Sequence, residues 1–326
     1  MLEHGGRLRR AAAIYDIPLA DWLDLSTGIN PNGWPVPPLP AAVWQRLPEE
    51  DDGLTAVACA YYGAQGCLPM AGSQAAIQAL PRLFAPCRVA VVQPGYAEHA
   101  EAWRAAGHTV VAVDARAPLQ DASVSVLVLI HPNNPTGQVY TLADLRAWHA
   151  ILAARGGWLV VDEAFMDATP AFSLAADTHL PGLIVLRSLG KFFGLAGARV
   201  GFVLAEAALL ARLADLLGPW TLSGPARAVA QAALHDRDWQ AMARTQLHAA
   251  GVRLATLLTA HGLPPTGGTA LFQWVERARA EVLQRGLAEQ GILTRVFAAP
   301  ASVRFGLPAN EGDWARLDDA LVALAL

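Results

Sequence analysis

The sequence predicts an α/β protein, with a large domain on a mostly parallel sheet and a smaller α+β domain. Two observations carry this. Short apolar runs recur at residues 88–92, 109–113, 124–130, 158–161, 183–186 and 199–204, each the length of a buried strand. Helical periodicity stands between some of them, at 97–106 and 141–155. Near-continuous apolar strands interleaved with helices mark a parallel sheet covered on both faces. After Gly218-Pro219-Trp220 the pattern changes to long helices and then a short mixed unit.

Composition agrees. The 326 residues are 54% hydrophobic and 16% charged, enough for a large core and a second unit. A net charge of −4, without a block of like charge, argues against a nucleic-acid partner. No apolar run approaches the length of a membrane span. The opening His4-Gly5-Gly6 region lacks the apolar centre of a signal peptide. Cys59, Cys67 and Cys87 form no metal-ligand spacing, and an odd number argues against a disulfide framework. Idle or buried thiols in a reducing cytoplasm are expected, with no metal.

In chain order, Arg7, Arg9 and Arg10 mark the polar face of a helix start. Residues 23–26 read as a short strand, and 27–35 as a loop punctuated by Asn-Pro and Asn-Gly. Prolines 35, 37, 38 and 40 make an extended connector. A helix is predicted over 54–62. Gly72-Ser73-Gln74 then precedes a helical run to 83. Free N–H groups at such a start bind anions, although a plain serine cap accounts for the same residues. Helices follow at 224–235 and 237–261, a strand at 271–275, a helix at 279–290, strands at 292–296 and 302–305, and a last helix at 313–325.

Ligands of open parallel sheets sit beyond the carboxyl ends of the strands. The polar clusters fall there: Pro94-Gly95-Tyr96, His131-Pro132-Asn133-Asn134-Pro135-Thr136-Gly137, Asp162-Glu163-Ala164-Phe165, and Ser188-Leu189-Gly190-Lys191. Lys191 stands among small and apolar residues. Poor solvation disfavours its ammonium form and leaves an amine able to act as a nucleophile. Ser188 and Arg199 suit a phosphate. An amine and a phosphate holder together point to pyridoxal 5′-phosphate (PLP), an aldehyde that carries its own phosphate. Asp162 suits the pyridine nitrogen, Asn134 the phenolic oxygen, and Tyr96 the ring face. Gly72, Ser73, Gln74, Ser188 and Arg199 could hold the phosphate. Taken singly, each has a plainer reading as a cap, a turn or a core-edge aromatic. Their joint occurrence at strand ends favours the cofactor.

These motifs, continued by Phe192 to Arg199, resemble those of the fold-type I PLP enzymes, aminotransferase class I/II group, over nearly the whole chain. The resemblance implies the aspartate aminotransferase fold and a homodimer with active sites at the subunit interface. It implies a small domain built from both termini: residues 1–45 joining 236–326, with 46–235 as the large PLP-binding domain. Within the group the chain resembles two branches acting on phosphorylated amino compounds, the histidinol-phosphate aminotransferases and the threonine-phosphate decarboxylases of cobalamin synthesis. His4-Gly5-Gly6, the loop Ser26-Thr27-Gly28-Ile29-Asn30-Pro31, and Phe165 in place of a tyrosine resemble the second.

That branch implies PLP-dependent decarboxylation of O-phospho-L-threonine to (R)-1-amino-2-propanol O-phosphate. Lys191 and Asp162 would be catalytic. Arg304, in Val303-Arg304-Phe305, resembles the arginine that binds the substrate carboxylate, with Asn134 beside it. Arg295, with His4, Gly5 and Asn30, would take the substrate phosphate. Transamination is the alternative, since it uses the same residues. A non-catalytic PLP-binding accessory protein is a third reading, against which the retention of Lys191, Asp162 and Arg304 speaks. One departure stands out: the resemblance implies Arg-Tyr-Pro, with the tyrosine reaching the partner subunit's cofactor phosphate, where this chain has Arg46-Leu47-Pro48; Leu47 has no hydroxyl, so either another group replaces that contact or the phosphate is held less tightly. Phe165 has a consequence too. Phe165→Tyr restores a donor to the phenolic oxygen and is expected to lower the pKa of the Lys191–cofactor C=N link by about one unit, the worth of one hydrogen bond. Titration of the cofactor absorbance against pH measures it, and an unmoved transition refutes it.

Overall fold

A computed structural model describes residues 4–116 and 118–324. The chain opens with α1 (Leu8–Tyr15), β1 (Leu23–Asp24), α2 (Ala42–Gln45) and α3 (Leu54–Tyr62). The central part alternates: β2 (Cys67–Met70), α4 (Ser73–Ala79), β3 (Arg88–Gln93), α5 (Ala97–Ala105), β4 (Thr109–Asp114), β5 (Val126–Ile130), α6 (Leu142–Ala153), β6 (Trp158–Asp162), β7 (Leu183–Ser188) and β8 (Gly201–Leu204). Helices α7 (Ala207–Leu217), α8 (Gly224–His235) and α9 (Arg237–Ala260) follow. The last stretch holds β9 (Gly267–Thr269), β10 (Phe272–Glu276), α10 (Ala280–Ala288), β11 (Ile292–Leu293), β12 (Arg295–Ala298), β13 (Ala301–Gly306) and α11 (Glu311–Ala323).

Two compact units result. The large one comprises Trp34–Asn134 and Val139–Ala241; the remaining segments form the small one. The division falls at 33/34 and 241/242, where 45/46 and 235/236 were expected. Trp34 explains the first shift: its N–H donates to the Phe193 carbonyl at 2.9 Å and its indole Nε1 to Asp236 at 3.0 Å. The uninterrupted helix α9 explains the second. The short piece Pro135–Gln138 belongs to the small unit because β9 lies directly against it. A Cβ at Gly137 or Gly267 would overlap the backbone of Gly268 or Thr136.

The large unit is built on seven strands in the order β2-β8-β7-β6-β5-β3-β4. Only β8 runs against its neighbours; the other pairs are parallel. Every residue of β5 and β7 is buried. Val89, Val91, Val128, Val160, Ile184 and Leu186 pack with Ile77, Trp103 and Leu213 in one core. Strand β2 does not stand out in the sequence, because Pro69 interrupts it. A proline is tolerated at the sheet edge, where β2 pairs with β8 alone. Helix α7 is hidden for another reason: only Ala205 and Glu206 separate its apolar residues from those of β8.

The small unit contains an antiparallel sheet in the order β12-β13-β10-β9 and a parallel pair, β1 with β11. That pair joins the first segment of the chain to the last, with Leu23 opposite Ile292 and Asp24 opposite Leu293. The single strand expected at 292–296 is broken at Thr294 into β11 and β12. Among the described residues no helix is long and apolar enough to cross a membrane, and all three cysteines are free thiols.

A buried ion cluster locks the ends of β6 and β7 in the large unit. Arg187 donates to Glu163 and to Asp167, both at 2.6 Å, and all three are essentially fully buried. Glu163 also accepts from Ser173 Oγ at 2.5 Å and from the Leu174 N–H at 2.8 Å. Tyr61 donates to Asp167 at 3.1 Å, and the Tyr62 ring lies 4.4 Å from the guanidinium. Burial alone would weaken the Arg187 charge, but Asp167 and Glu163 outweigh it and hold the group protonated. Arg187→Met leaves two carboxylates buried without their counter-ion. It is expected to cost about 3–5 kcal/mol in denaturant unfolding; a loss under about 1 kcal/mol would show the cluster to be dispensable.

Candidate active site

Asp162 is the last residue of β6, with ladder partners Ile130 and Leu186. It is 4% exposed. His99, on α5, donates from Nε2 to Asp162 Oδ2 at 2.9 Å, and the Ala164 N–H donates to Oδ1 at 3.0 Å. The carboxylate is thus oriented by two donors and keeps lone pairs for a third. The sequence reading missed His99. The available signal was its place three residues after Tyr96, on the same helical face; the two rings meet edge to face at 6.3 Å.

Lys191 follows β7 by three residues and is half-buried. Its Nζ lies 5.4 Å from the centroid of the Phe165 ring, a buried apolar face three residues beyond Asp162. An ammonium beside an aromatic face gains a modest attraction while losing water, the setting of a reactive amine. Asn134 sits in the loop after β5. Its neighbour Asn133 donates from Nδ2 to the Pro94 carbonyl at 2.9 Å and ties that loop to the one bearing Tyr96.

Gly72 adopts φ 79°, and α4 begins without a side-chain cap. The guanidinium of Arg199 lies against Gly72, so that a Cβ there would stand 2.6 Å from Nη2. Gly201 is equally constrained, since its Cβ would overlap the Ser73 N–H. Ser188 Oγ accepts the Gly190 N–H at 3.2 Å. Gly72, Ser73, Ser188 and Arg199 therefore lie around the end of β8 and the adjoining end of β7. Gln74 is engaged differently: its amide donates to Glu98 at 3.1 Å and its carbonyl accepts from the Tyr96 hydroxyl at 3.2 Å. Burial, with help from Glu98 and Asp162, pushes the Tyr96 phenol up to about 12, so it remains a donor at neutral pH.

The small unit holds the other predicted residues. Arg295 and Arg304 are direct partners across β12 and β13. Like charges directly opposite on a sheet repel. Burial first, and then Arg295, lowers Arg304 to about 10, with Asp24 acting against them; it is still charged at pH 7. Arg304 donates from Nη2 to the Ser26 carbonyl at 2.7 Å. Ser26 is a junction that the sequence reading left out of the site. Its Oγ accepts the Gly6 N–H at 2.7 Å and donates to Asp24 at 2.6 Å. Gly5 packs so closely on the Ser26 carbonyl that a Cβ would overlap it. His4, Gly5, Ser26 and Arg295 line one cleft. Asn30 is buried, and its Oδ1 accepts the Asn32 N–H at 2.9 Å.

The donor set of the large unit fits PLP: a lysine amine, an oriented buried carboxylate, and a cradle about Gly72 that admits no larger residue. The aminotransferase class I and II family model matches residues 21–324. The chain belongs to that family. A threonine-phosphate decarboxylase of Pseudomonas aeruginosa is 61% identical over 99% of this chain and 98% of its own length. One from a Sinorhizobium species is 45% identical over 100% and 99%. The solved structure of the histidinol-phosphate aminotransferase from Sinorhizobium meliloti, in complex with PLP, superposes with a TM-score of 0.82 at 21% identity. It covers 99% of this chain and 95% of that one, and establishes the shared aminotransferase fold.

His131, at the start of the class I and II loop motif, is held neutral. Its Nε2 donates to the Phe172 carbonyl at 3.0 Å and its Nδ1 accepts the Tyr140 N–H at 3.2 Å. Burial lowers it to about 4, and Arg187 adds to this. The folded value lies below the unfolded one, so the unfolded chain binds the extra proton between pH 6.5 and about 4. Stability is complete above that window and falls as pH drops through it, by up to about 1.4 kcal/mol per unit. Urea unfolding at pH 7 and pH 5 measures the slope, and His131→Gln is expected to reduce it; an unchanged slope refutes the assignment.

Proposed function

We propose that this chain is a PLP-dependent decarboxylase that converts O-phospho-L-threonine to (R)-1-amino-2-propanol O-phosphate, a step the resemblance assigns to cobalamin synthesis. One observation carries the reading: near end-to-end identity with proteins named threonine-phosphate decarboxylase, at 61% and 45%. The Arg295–Arg304 pair supports it. Two facing guanidinium groups suit a substrate with two anionic groups, a carboxylate and a phosphate.

When bound, PLP supplies an electron sink for the pair left at Cα as carbon dioxide departs. The residues do the rest. Asp162, oriented by His99, holds a proton on the ring nitrogen. Tyr96 covers the ring face, and Asn134 donates to the phenolic oxygen. Gly72, Ser73, Ser188 and Arg199 hold the cofactor phosphate, with Gln74 contributing its backbone N–H. Arg304 and Asn134 take the substrate carboxylate. Arg295, His4, Gly5 and Asn30 take the substrate phosphate. Lys191 carries the cofactor and returns the proton to Cα. Positioning selects which bond breaks, and this separates decarboxylation from amino transfer on shared residues.

A homodimer forms part of the reading. Trp44, Leu47 and Trp220 of the large unit are 68%, 65% and 56% exposed, and large apolar side chains left in water mark contact surfaces. Free thiols suit a reducing cytoplasm.

Purified protein loaded with PLP is expected to release carbon dioxide from phosphothreonine without any keto acid, and not from threonine or histidinol phosphate. Lys191→Ala should lower the rate by at least about 10³-fold. Amino transfer to 2-oxoglutarate without carbon dioxide would overturn the reaction.

A further inference from the structure

One side chain joins two parts of the cofactor site that lie far apart in the sequence. Gln74 is the second residue of α4, directly after Gly72 and Ser73. Tyr96 stands at the N-cap of α5. The Tyr96 hydroxyl donates to Gln74 Oε1 at 3.2 Å, and Gln74 Nε2 donates to Glu98 Oε2 at 3.1 Å. All of these residues belong to the large unit.

The direction of this chain of bonds is set from its far end. Glu98 lies in the first turn of α5, where the helix dipole favours a negative charge. An ionised carboxylate only accepts, so Nε2 of Gln74 must face it and Oε1 is left for the phenol. The phenol then has to donate, and its pKa of about 12 keeps that proton in place at neutral pH. Gln78, one turn further along α4, also donates to Glu98 Oε2, at 3.4 Å. The Tyr96 ring meets His99 edge to face at 6.3 Å, and His99 donates to Asp162 at 2.9 Å. A tyrosine ring turns about two side-chain bonds. Contacts at its hydroxyl and at its ring restrict both. A hydrogen bond between two neutral, half-buried groups adds little to stability, so its value here lies in orientation.

We infer that Gln74 is a positioning residue for Tyr96: its side chain, oriented by Glu98, sets the angle of the aromatic face offered to the PLP ring. The inference rests on the proposed placement of Tyr96 over that ring and deepens it. Ring stacking and phosphate binding then depend on one residue, through its side chain and its backbone N–H.

The test uses the full chain with PLP. Gln74→Leu, Tyr96→Phe and their double variant are compared with the parent protein. PLP titration gives the Kd, and visible circular dichroism reports the setting of the bound cofactor. Every backbone N–H is kept. Each single change is expected to raise the Kd by about 3–10-fold and to weaken the dichroism at unchanged cofactor absorbance. The double variant should match the weaker single one within about twofold, because both remove the same bond. Gln74→Glu alone sets two carboxylates together and should also weaken binding. The exchange Gln74→Glu/Glu98→Gln keeps an acceptor for the phenol and a donor–acceptor pair between α4 and α5, and should restore the Kd to within about twofold of the parent's. A mere structural bridge between the helices would lower the thermal midpoint of the apoprotein and leave Kd and dichroism unmoved. An unmoved Kd and dichroism in Gln74→Leu overturns the inference, as do effects that multiply in the double variant. An exchange that fails to restore the Kd overturns the part given to Glu98. Tyr96→Ala separates the inference from the reading beneath it. Should Tyr96→Ala weaken PLP binding while Gln74→Leu does not, Tyr96 keeps its place and the inference alone falls. Should PLP bind equally well to Tyr96→Ala, the placement of Tyr96 falls and takes the inference with it. Should the parent form no cofactor absorbance that Lys191→Ala removes, the assigned cofactor site itself falls.

Discussion

Three charges without water can persist only when each is paired, and that constraint organises the large unit. Arg187 reaches both Glu163 and Asp167 from the penultimate position of β7. Glu163 directly follows Asp162, and Arg187 directly precedes Ser188. The cluster therefore pins two neighbouring strand ends in one register, and the functional residues inherit their places from it. Desolvation of each ion costs several kcal/mol, which the two contacts of 2.6 Å, one to each carboxylate, offset. That stiffness is what a site for a rigid, planar cofactor requires.

The small unit reaches precision differently. Its first and last segments meet through the parallel pair β1–β11 and through Ser26. One serine bonds the Gly6 N–H, Asp24 and Arg304. The residue assigned to the substrate carboxylate and the segment assigned to its phosphate therefore move together. Gly5 cannot be larger because the Ser26 carbonyl lies where its Cβ would be. In His4-Gly5-Gly6, Gly5 is thus a packing requirement, and Gly6, at φ 76°, is a backbone one.

The two clusters differ in charge. Arg187 of the large unit is paired with two carboxylates at close range. In the small unit Arg295 faces Arg304 across β12 and β13. The lowered value of Arg304 reports that crowding together with its burial.

Much of this was legible in the sequence, and the reason is local. Strands β3, β5, β6 and β7 announce themselves as apolar runs because a strand buried on both faces needs nothing else. Lys191, Asp162, Tyr96 and Asn134 could be named because each follows such a run, where a parallel sheet exposes its ligand-facing edge. The tertiary structure alone decided the rest. Arg187 directly follows an apolar run, and its value depends on carboxylates from another strand end. His99 gains meaning only when β6 brings Asp162 beside α5. The break at Thr294, the edge position that tolerates Pro69, and the facing of Arg295 and Arg304 all depend on register between distant segments. Periodicity records which face a residue takes; it carries no information on which residue will stand opposite.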